Sequence, residues 1–250
     1  AMKQLFAEIL GCQSADVIVG GNSSLTMMHD AIVRGMLFGV PGGDQPWGQQ
    51  GTVRFLCPAP GYDRHFEITG HLGFELLNVD LTDQGPDMDR VEALAADPAV
   101  KGIWCVPRYS NPTGITYSEE VTQRLAQMKA APDFRIIWDN AYAEHHLGDV
   151  RQPVPDILAA CRKAGHPDRV LVFTSTSKMT VAGAGVSAMA ASPANIADAR
   201  RHLAVQTIGP DKLNQLRHLK FFKNIDGLRD RKSTRLNSSH VRTSRMPSSA

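Results

Sequence analysis

Long apolar runs, paired cysteines and a secretory leader are all missing from this sequence. No stretch approaches the roughly 20 apolar residues that cross a bilayer. The opening AMKQLFAEILGCQSADVIVGG does not run from basic to apolar as a leader does. Cysteine is scarce: Cys12, Cys57, Cys105 and Cys161 stand far apart with no CxxC pair. That spacing argues against a zinc site, and three of the four lie in or beside apolar runs, so they read as reduced core thiols of a cytoplasmic protein. His145 and His146 adjoin, but adjacent side chains point in different directions and no further ligands stand at metal spacing; they read as a solvated pair, and no metal is expected. Acidic residues are absent from the last twenty positions, RKSTRLNSSHVRTSRMPSSA, which carry Arg231, Lys232, Arg235, Arg242 and Arg245. Without this tail the chain has 22 basic against 25 acidic residues, so the formal net charge of +2 becomes −3 and a nucleic-acid footprint has no support.

What remains is ordinary for a globular protein: 42% hydrophobic and 21% charged residues over a length that buries a substantial core. Apolar runs alternate with helical patterns from residue 15 to 205. The runs at 16–20, 53–57, 75–79, 101–106, 135–139, 170–174 and 185–190 are short, almost continuously apolar and bounded by Gly, Pro or Asp, as strands covered on both faces should be. Leu25, Met28, Ile32 and Met36 form one helical stripe after the cap-like Asn22-Ser23-Ser24. Further helices are expected at 88–96, 118–130, 155–164 and 194–205. The alternation predicts an α/β fold: a mostly parallel, mixed seven-stranded sheet with helices on both faces. Residues 1–14 read as the remnant of an N-terminal region, 15–205 as one large domain and 206–230 as the start of a connection to a further, smaller domain. Residues 207–229 look helical in part, with an apolar face for which the sequence shows no home. Residues 231–250, Ser/Arg-rich and without hydrophobic period, are expected to be disordered; they resemble translated adapter or vector sequence and read as non-native.

In open α/β sheets ligands gather where strands end, and four strand ends carry unusual polar residues. GGNSSLT after the first strand places Asn22, Ser23 and Ser24 at a helix start; backbone N–H groups and hydroxyls there suit a phosphate, or equally an ordinary N-cap. CPAPGYDRHF turns on two prolines and a glycine to present Tyr62, either a platform for a flat ring or a buried loop aromatic. PRYSNPTG displays Asn111 ahead of a proline, although turn formation alone explains Asn-Pro and Gly. IIWDNAYAEHH ends an apolar strand in Asp139, with Tyr142 three residues on; a buried carboxylate needs a cationic partner unless it merely starts the loop. LVFTSTSKMTVAGAGVSA then sets Lys178 after a buried strand, three residues beyond Ser175, with no carboxylate between Asp168 and Asp198. Thr176, Ser177, Ala182, Gly183 and Gly185 leave room for a bulky group on its nitrogen, and desolvation or imine formation turns a lysine into a nucleophile and proton carrier.

A phosphate cup, a ring platform, an asparagine, an acid with tyrosine at +3 and Ser-x-x-Lys, in that order, are what pyridoxal 5′-phosphate (PLP) requires. YSNPTG, DNAY and STSK together resemble the class I/II aminotransferases of PLP fold type I over about residues 15–225. SKMTVAGAGV and QTIGPDKLNQLRH look most like a bacterial aspartate-aminotransferase-like subgroup. The resemblance implies that residues 15–205 are the PLP-binding large domain and that Lys178 forms the internal aldimine and shuttles the substrate proton. It pairs Asp139 with the pyridinium nitrogen, hydrogen-bonds Asn111 and Tyr142 to the ring oxygen and stacks Tyr62 on the ring. Ser23, Ser24 and Ser175 would bind the phosphate, with Asn22 shaping the loop. It further implies a homodimer, with 203–219 toward the interface, and small-molecule substrates: an amino acid, aspartate first, and 2-oxoglutarate. Val186 departs from the pattern, since many relatives carry an arginine there; helix dipole, hydroxyls or Lys212 would have to meet the phosphate charge. The N-terminal arm and the small domain with its carboxylate-binding arginine are expected outside these 250 residues, so the fragment itself is expected to be inactive. A PLP-holding sensor domain of a transcription regulator, or another PLP enzyme such as a β-lyase, remains an alternative reading.

Overall fold

The computed structural model describes residues 1–144, 154–180 and 183–229. The His145–His146 pair, Ala182 and the 231–250 tail lie outside the described residues. The chain opens with α1 (Met2–Leu10), β1 (Val17–Val19) and α2 (Ser24–Phe38). There follow β2 (Arg54–Ala59), α3 (Asp63–His71), β3 (Glu75–Thr82), β4 (Gly85–Pro86), α4 (Met88–Ala95), β5 (Val100–Cys105) and α5 (Glu119–Gln127). The last elements are β6 (Arg135–Asp139), α6 (Ile157–Lys163), β7 (Val170–Ser175), β8 (Ser187–Ala191), α7 (Pro193–Gln206) and α8 (Lys212–Phe222).

The strands form one sheet in the order β1-β8-β7-β6-β5-β2-β3-β4. Neighbours from β7 through β6, β5 and β2 to β3 are parallel, while β8 runs against both β7 and β1. All seven strands expected from the apolar runs are present. The eighth corrects the count: Gly85 and Pro86 pair antiparallel with Thr82 and Leu81. A Gly-Pro dipeptide reads as a turn, and proline is tolerated here because β4 is the edge strand.

The continuous apolar runs have a direct cause. Leu56, Ile136, Trp138, Val170 and Val172 bury on one face with helices α1, α4, α5 and α6. Their neighbours Phe55, Cys57, Ile137, Leu171 and Phe173 bury on the other, against α2 and α7. Both faces are covered, so both parities must be apolar. Helix starts follow capping chemistry: the side chains of Ser23, Asp87, Ser118, Asp156, Ser192 and Asp211 each accept a backbone N–H of the helix they open. Helix α1 was not anticipated; its stripe of Met2, Leu5 and Phe6 is buried. Part of the apolar face at 207–229 does find a home, because Phe222 and Leu228 bury in the first core. Leu213, Leu216 and Phe221 stay exposed.

The four cysteines are free thiols, and Cys57, Cys105 and Cys161 are buried. Burial pushes Cys57 and Cys161 up to about 12, and raises Cys105 as well. Burial, then the nearby Asp16 and Asp156, take Cys12 to about 11. These thiols hold their protons more tightly folded than unfolded, so their contribution to stability is intact below the ordinary value of 9.0 and declines as pH climbs from there toward 12. A thiol reagent at pH 8 is therefore expected to leave the three buried cysteines unmodified until urea unfolds the chain. Stoichiometric reaction of Cys57 or Cys161 in the folded protein would contradict this.

Candidate active site

Strands β1, β2, β3, β5, β6 and β7 run in one direction, so their carboxyl ends share one edge of the sheet. From β2 the chain moves outward to β3 and later returns to β5 on β2's other side. Loops leaving β2 and β5 therefore diverge, and such a switch point opens a crevice. A cavity of about 220 Å³ lies at this edge, lined by Ser23, Ser24, Tyr62, Asn111, Asp139, Tyr142, Ser175 and Lys178, with Leu25, Met28, Val106, Ala141 and Ser177. Residues separated by up to 155 positions thus meet in one small volume. Of the nine residues to which the resemblance gives a cofactor role, Asn22 alone lies off the cavity. It lines the adjoining groove, where Nδ2 donates to the Gly183 carbonyl at 3.0 Å while its own carbonyl accepts from Ser177 Oγ at 3.2 Å. Asn22 therefore holds loops together.

Asp139 ends β6 and is buried, at 6% exposure. The following residue fixes its place: the Asn140 N–H donates to the Phe173 carbonyl at 2.7 Å, and the Asn140 carbonyl accepts from Thr174 Oγ1 at 3.0 Å. Asp139 Oδ2 lies 3.0 Å from His65 Nε2. Oδ1 is also buried and has no hydrogen-bond partner among the described residues. One carboxylate oxygen is thus used and one is not, on a residue that lines the cavity, and a buried acceptor left unmade costs on the order of 1–3 kcal/mol. His65 was not singled out in the sequence. It sits on α3 three residues after Tyr62, a spacing that places both on one side of the helix. Its ring stacks on Trp104 at 4.5 Å and meets Tyr62 edge-on at 5.1 Å. Burial raises the Tyr62 phenol above its ordinary value, so it stays protonated at neutral pH.

Lys178 lies in a single helical turn after β7, closed by the Met179 and Thr180 N–H groups on the Thr176 carbonyl. The Thr176 N–H donates to the Val186 carbonyl at 2.9 Å, and the Val186 N–H donates in return to the Thr176 side-chain Oγ1 at 2.8 Å. Lys178 is exposed, so of the two routes to a nucleophilic lysine, desolvation and imine formation, burial by the strand it follows does not supply the first. It stands three positions beyond Ser175, the end of β7, enough to bring it out of the sheet. Its Nζ stands 5.6 Å from the centroid of the Tyr142 ring, within cation–π range. Close packing shapes the turn's other side: a Cβ on Gly185 would lie 2.9 Å from the Ser177 backbone nitrogen.

Asn111 is exposed at the cavity's rim, in a turn that the Ser110 N–H closes on the Ile115 carbonyl at 2.9 Å. Tyr109, just ahead, takes a left-handed φ of 48°, a conformation that costs a non-glycine residue. At the opposite end Ser23 caps the 15-residue helix α2, accepting the Thr26 N–H at 3.4 Å. The capping role and the cavity lining coexist, since the hydroxyl proton remains to be donated. Val186 is buried in the apolar core, so no cation stands there. Lys212 lines the adjoining groove with Asn22 and Ser23. Among the described residues no helix is long and apolar enough to cross a membrane.

A family model for aspartate amino-transferase matches residues 1–239. An aspartate aminotransferase of Corynebacterium glutamicum is 48% identical over 229 residues, covering 91% of this chain and 53% of that protein. The crystal structure of an aspartate transaminase from Corynebacterium glutamicum superposes with a TM-score of 0.92 at 46% identity, over 95% of this chain and 56% of that one. An alpha-aminoadipate aminotransferase of Thermus thermophilus, solved with N-(5′-phosphopyridoxyl)-L-leucine, shares the fold at a TM-score of 0.71 and 22% identity, over 96% of this chain and 58% of that one. The chain spans about half the length of the curated relatives it matches. Sheet order, strand-end residues and these matches agree: the chain belongs to the aspartate aminotransferase family.

Proposed function

We propose that the cavity holds pyridoxal 5′-phosphate, and that the protein containing this chain moves an amino group from a dicarboxylic amino acid, aspartate first, to 2-oxoglutarate. One observation carries the reading. Asp139 brings a buried, unused acceptor to the same small cavity that Lys178 lines, and a protonated ring nitrogen with a reactive carbonyl satisfies both ends at once. When bound, the cofactor supplies a carbonyl carbon that condenses with amines and a ring that accepts the electron pair left at the substrate Cα.

The chain's own residues do the rest. Lys178 Nζ holds the cofactor and then takes and returns the proton at Cα. Asp139 Oδ1 accepts the ring N–H and keeps that nitrogen protonated, while His65 Nε2, 3.0 Å from Oδ2, fixes the carboxylate's orientation. Tyr62 flanks the ring, and Asn111 Nδ2 and the Tyr142 hydroxyl donate to its ring oxygen. Ser23, Ser24 and Ser175 donate to the phosphate, with the positive end of the α2 dipole supplying charge where Val186 supplies none. Asn22 holds the surrounding loops. The aspartate assignment is supported by the printed name of the Corynebacterium glutamicum relative.

The test is covalent. The chain is loaded with pyridoxal phosphate, reduced with borohydride and mapped by peptide mass spectrometry; the pyridoxyl label is expected on Lys178. A label on another lysine, or none, overturns the reading. In the longer protein, aspartate added before reduction is expected to discharge the label and release its 2-oxo acid. Discharge by other amino acids and not by aspartate would remove the substrate assignment alone.

A further inference from the structure

We propose that the segment from Asp211 to Arg229 is a strap that positions both halves of the site, with Asn214 setting the lysine turn and Arg229 setting the loop of Asp139 and Tyr142. The proposal rests on the pyridoxal phosphate reading for what the two loops do, and on the structure for how they are held.

The QTIGPDKLNQLRH motif contributes no residue to the cavity, yet it touches what surrounds it. Helix α8 begins at an Asp211 cap that accepts the backbone N–H of Asn214 at 2.9 Å. That cap leaves the Asn214 side chain to reach outward, where Nδ2 donates to the Gly185 carbonyl at 2.9 Å and the Ala184 carbonyl at 3.3 Å. Gly185 is the residue packed against the Ser177 backbone, and Ser177 immediately precedes Lys178. A hydrogen-bond donor on α8 therefore fixes the peptide that backs the lysine turn.

The far end of the strap holds the other loop. Phe222 and Leu228, at 1% and 0% exposure, seat it in the core. Next to Leu228, Arg229 Nε and Nη2 each lie 3.3 Å from a different oxygen of Glu144. Glu144 is 6% exposed and stands two residues beyond Tyr142. A two-point fork of this kind restricts orientation as well as distance. Both anchors join residues far apart in sequence, 29 positions for Asn214–Gly185 and 85 for Arg229–Glu144. Movement of the strap is thereby transmitted to the amine and to the acid–tyrosine pair together.

Asn214→Asp keeps the size and removes the donor; Arg229→Gln removes the fork. On the cofactor-free chain, amide hydrogen exchange in 176–180 is expected to quicken about tenfold in the first variant, and in 140–144 in the second, with β2 and β5 unchanged. Loaded with pyridoxal phosphate, each variant is expected to shift the pH midpoint of the bound cofactor's absorbance by about half a unit or more, and Arg229→Lys should restore part of the second shift. Unchanged exchange in both loops overturns the strap. Faster exchange throughout the sheet, or exchange changes with no shift in the absorbance midpoint, reduces the contacts to stability and overturns the positioning role. If the parent chain takes no label on Lys178, the cofactor reading fails by itself, and the exchange arm still decides whether the strap holds the loops.

Discussion

Lys178→Ala is expected to abolish the borohydride-fixed pyridoxyl label, a loss of at least about a hundredfold in signal, while the folded chain keeps its melting temperature. The two halves of this result come from different facts. Loss of label follows because, among the described residues, Lys178 is the only lysine lining the cavity; Lys212 lines the adjoining groove. Retention of stability follows because Lys178 is exposed and its turn is held by bonds of Thr176 with Val186, Met179 and Thr180 that do not use the lysine side chain. Exposed substitutions away from caps and buried networks usually change stability by less than about 0.5 kcal/mol. Noncovalent retention of pyridoxal phosphate should persist, since the hydroxyls at α2 and β7 and the Asp139 acceptor are untouched. The measurement is peptide mapping beside equilibrium dialysis. A label transferred intact to Lys212 would show that the cavity admits an amine from the groove, and that Lys178 is not the essential one.

The legible parts of this protein are those where one local rule acts alone. Strands β5, β6 and β7 are buried on both faces, so Ile103, Ile137 and Phe173 could be placed from apolar runs without knowing their neighbours. Asp139 and Ser175 could be picked out because a polar residue ending such a run is costly unless it is partnered. Where two rules compete, the sequence is ambiguous. Ser23 is both an N-cap and a cavity hydroxyl, and no spacing argument separates those uses. His65 was overlooked because α3 is short and carries only scattered apolar residues, so its helical spacing from Tyr62 had no stripe to reveal it. Asn22 belongs to the motif but acts on Gly183 and Ser177, partners about 160 residues away that only the antiparallel return of β8 brings near. The same holds for Asn214 and Arg229, whose partners are set by where α8 packs. The exposure of Lys178 is likewise outside the reach of its apolar context, because the turn from Thr176 to Thr180 decides it.

Asp139 offers the sharper test of mechanism, because two substitutions separate its charge from its packing. Asp139→Asn keeps the volume and still presents a carbonyl oxygen to His65 Nε2, so the fold should be retained. It removes the negative charge that would keep a ring nitrogen protonated, and the cost should fall on the proton transfer at Cα. Loss of one preorganised electrostatic partner in a buried site is worth about 10³ in rate, or about 4 kcal/mol. Asp139→Ala should carry that loss and a second one. His65 is 1% exposed and its Nε2 would face an emptied site, and a buried polar group stripped of its partner costs about 1–3 kcal/mol of stability. Single-turnover absorbance with aspartate in the longer protein reads the first effect, and urea unfolding reads the second. The expected pattern is slow and stable for Asn, slow and destabilised for Ala. A wild-type single-turnover rate in the Asn variant would mean that the charge opposite the ring nitrogen comes from elsewhere, and that the unused oxygen of Asp139 serves the loop alone.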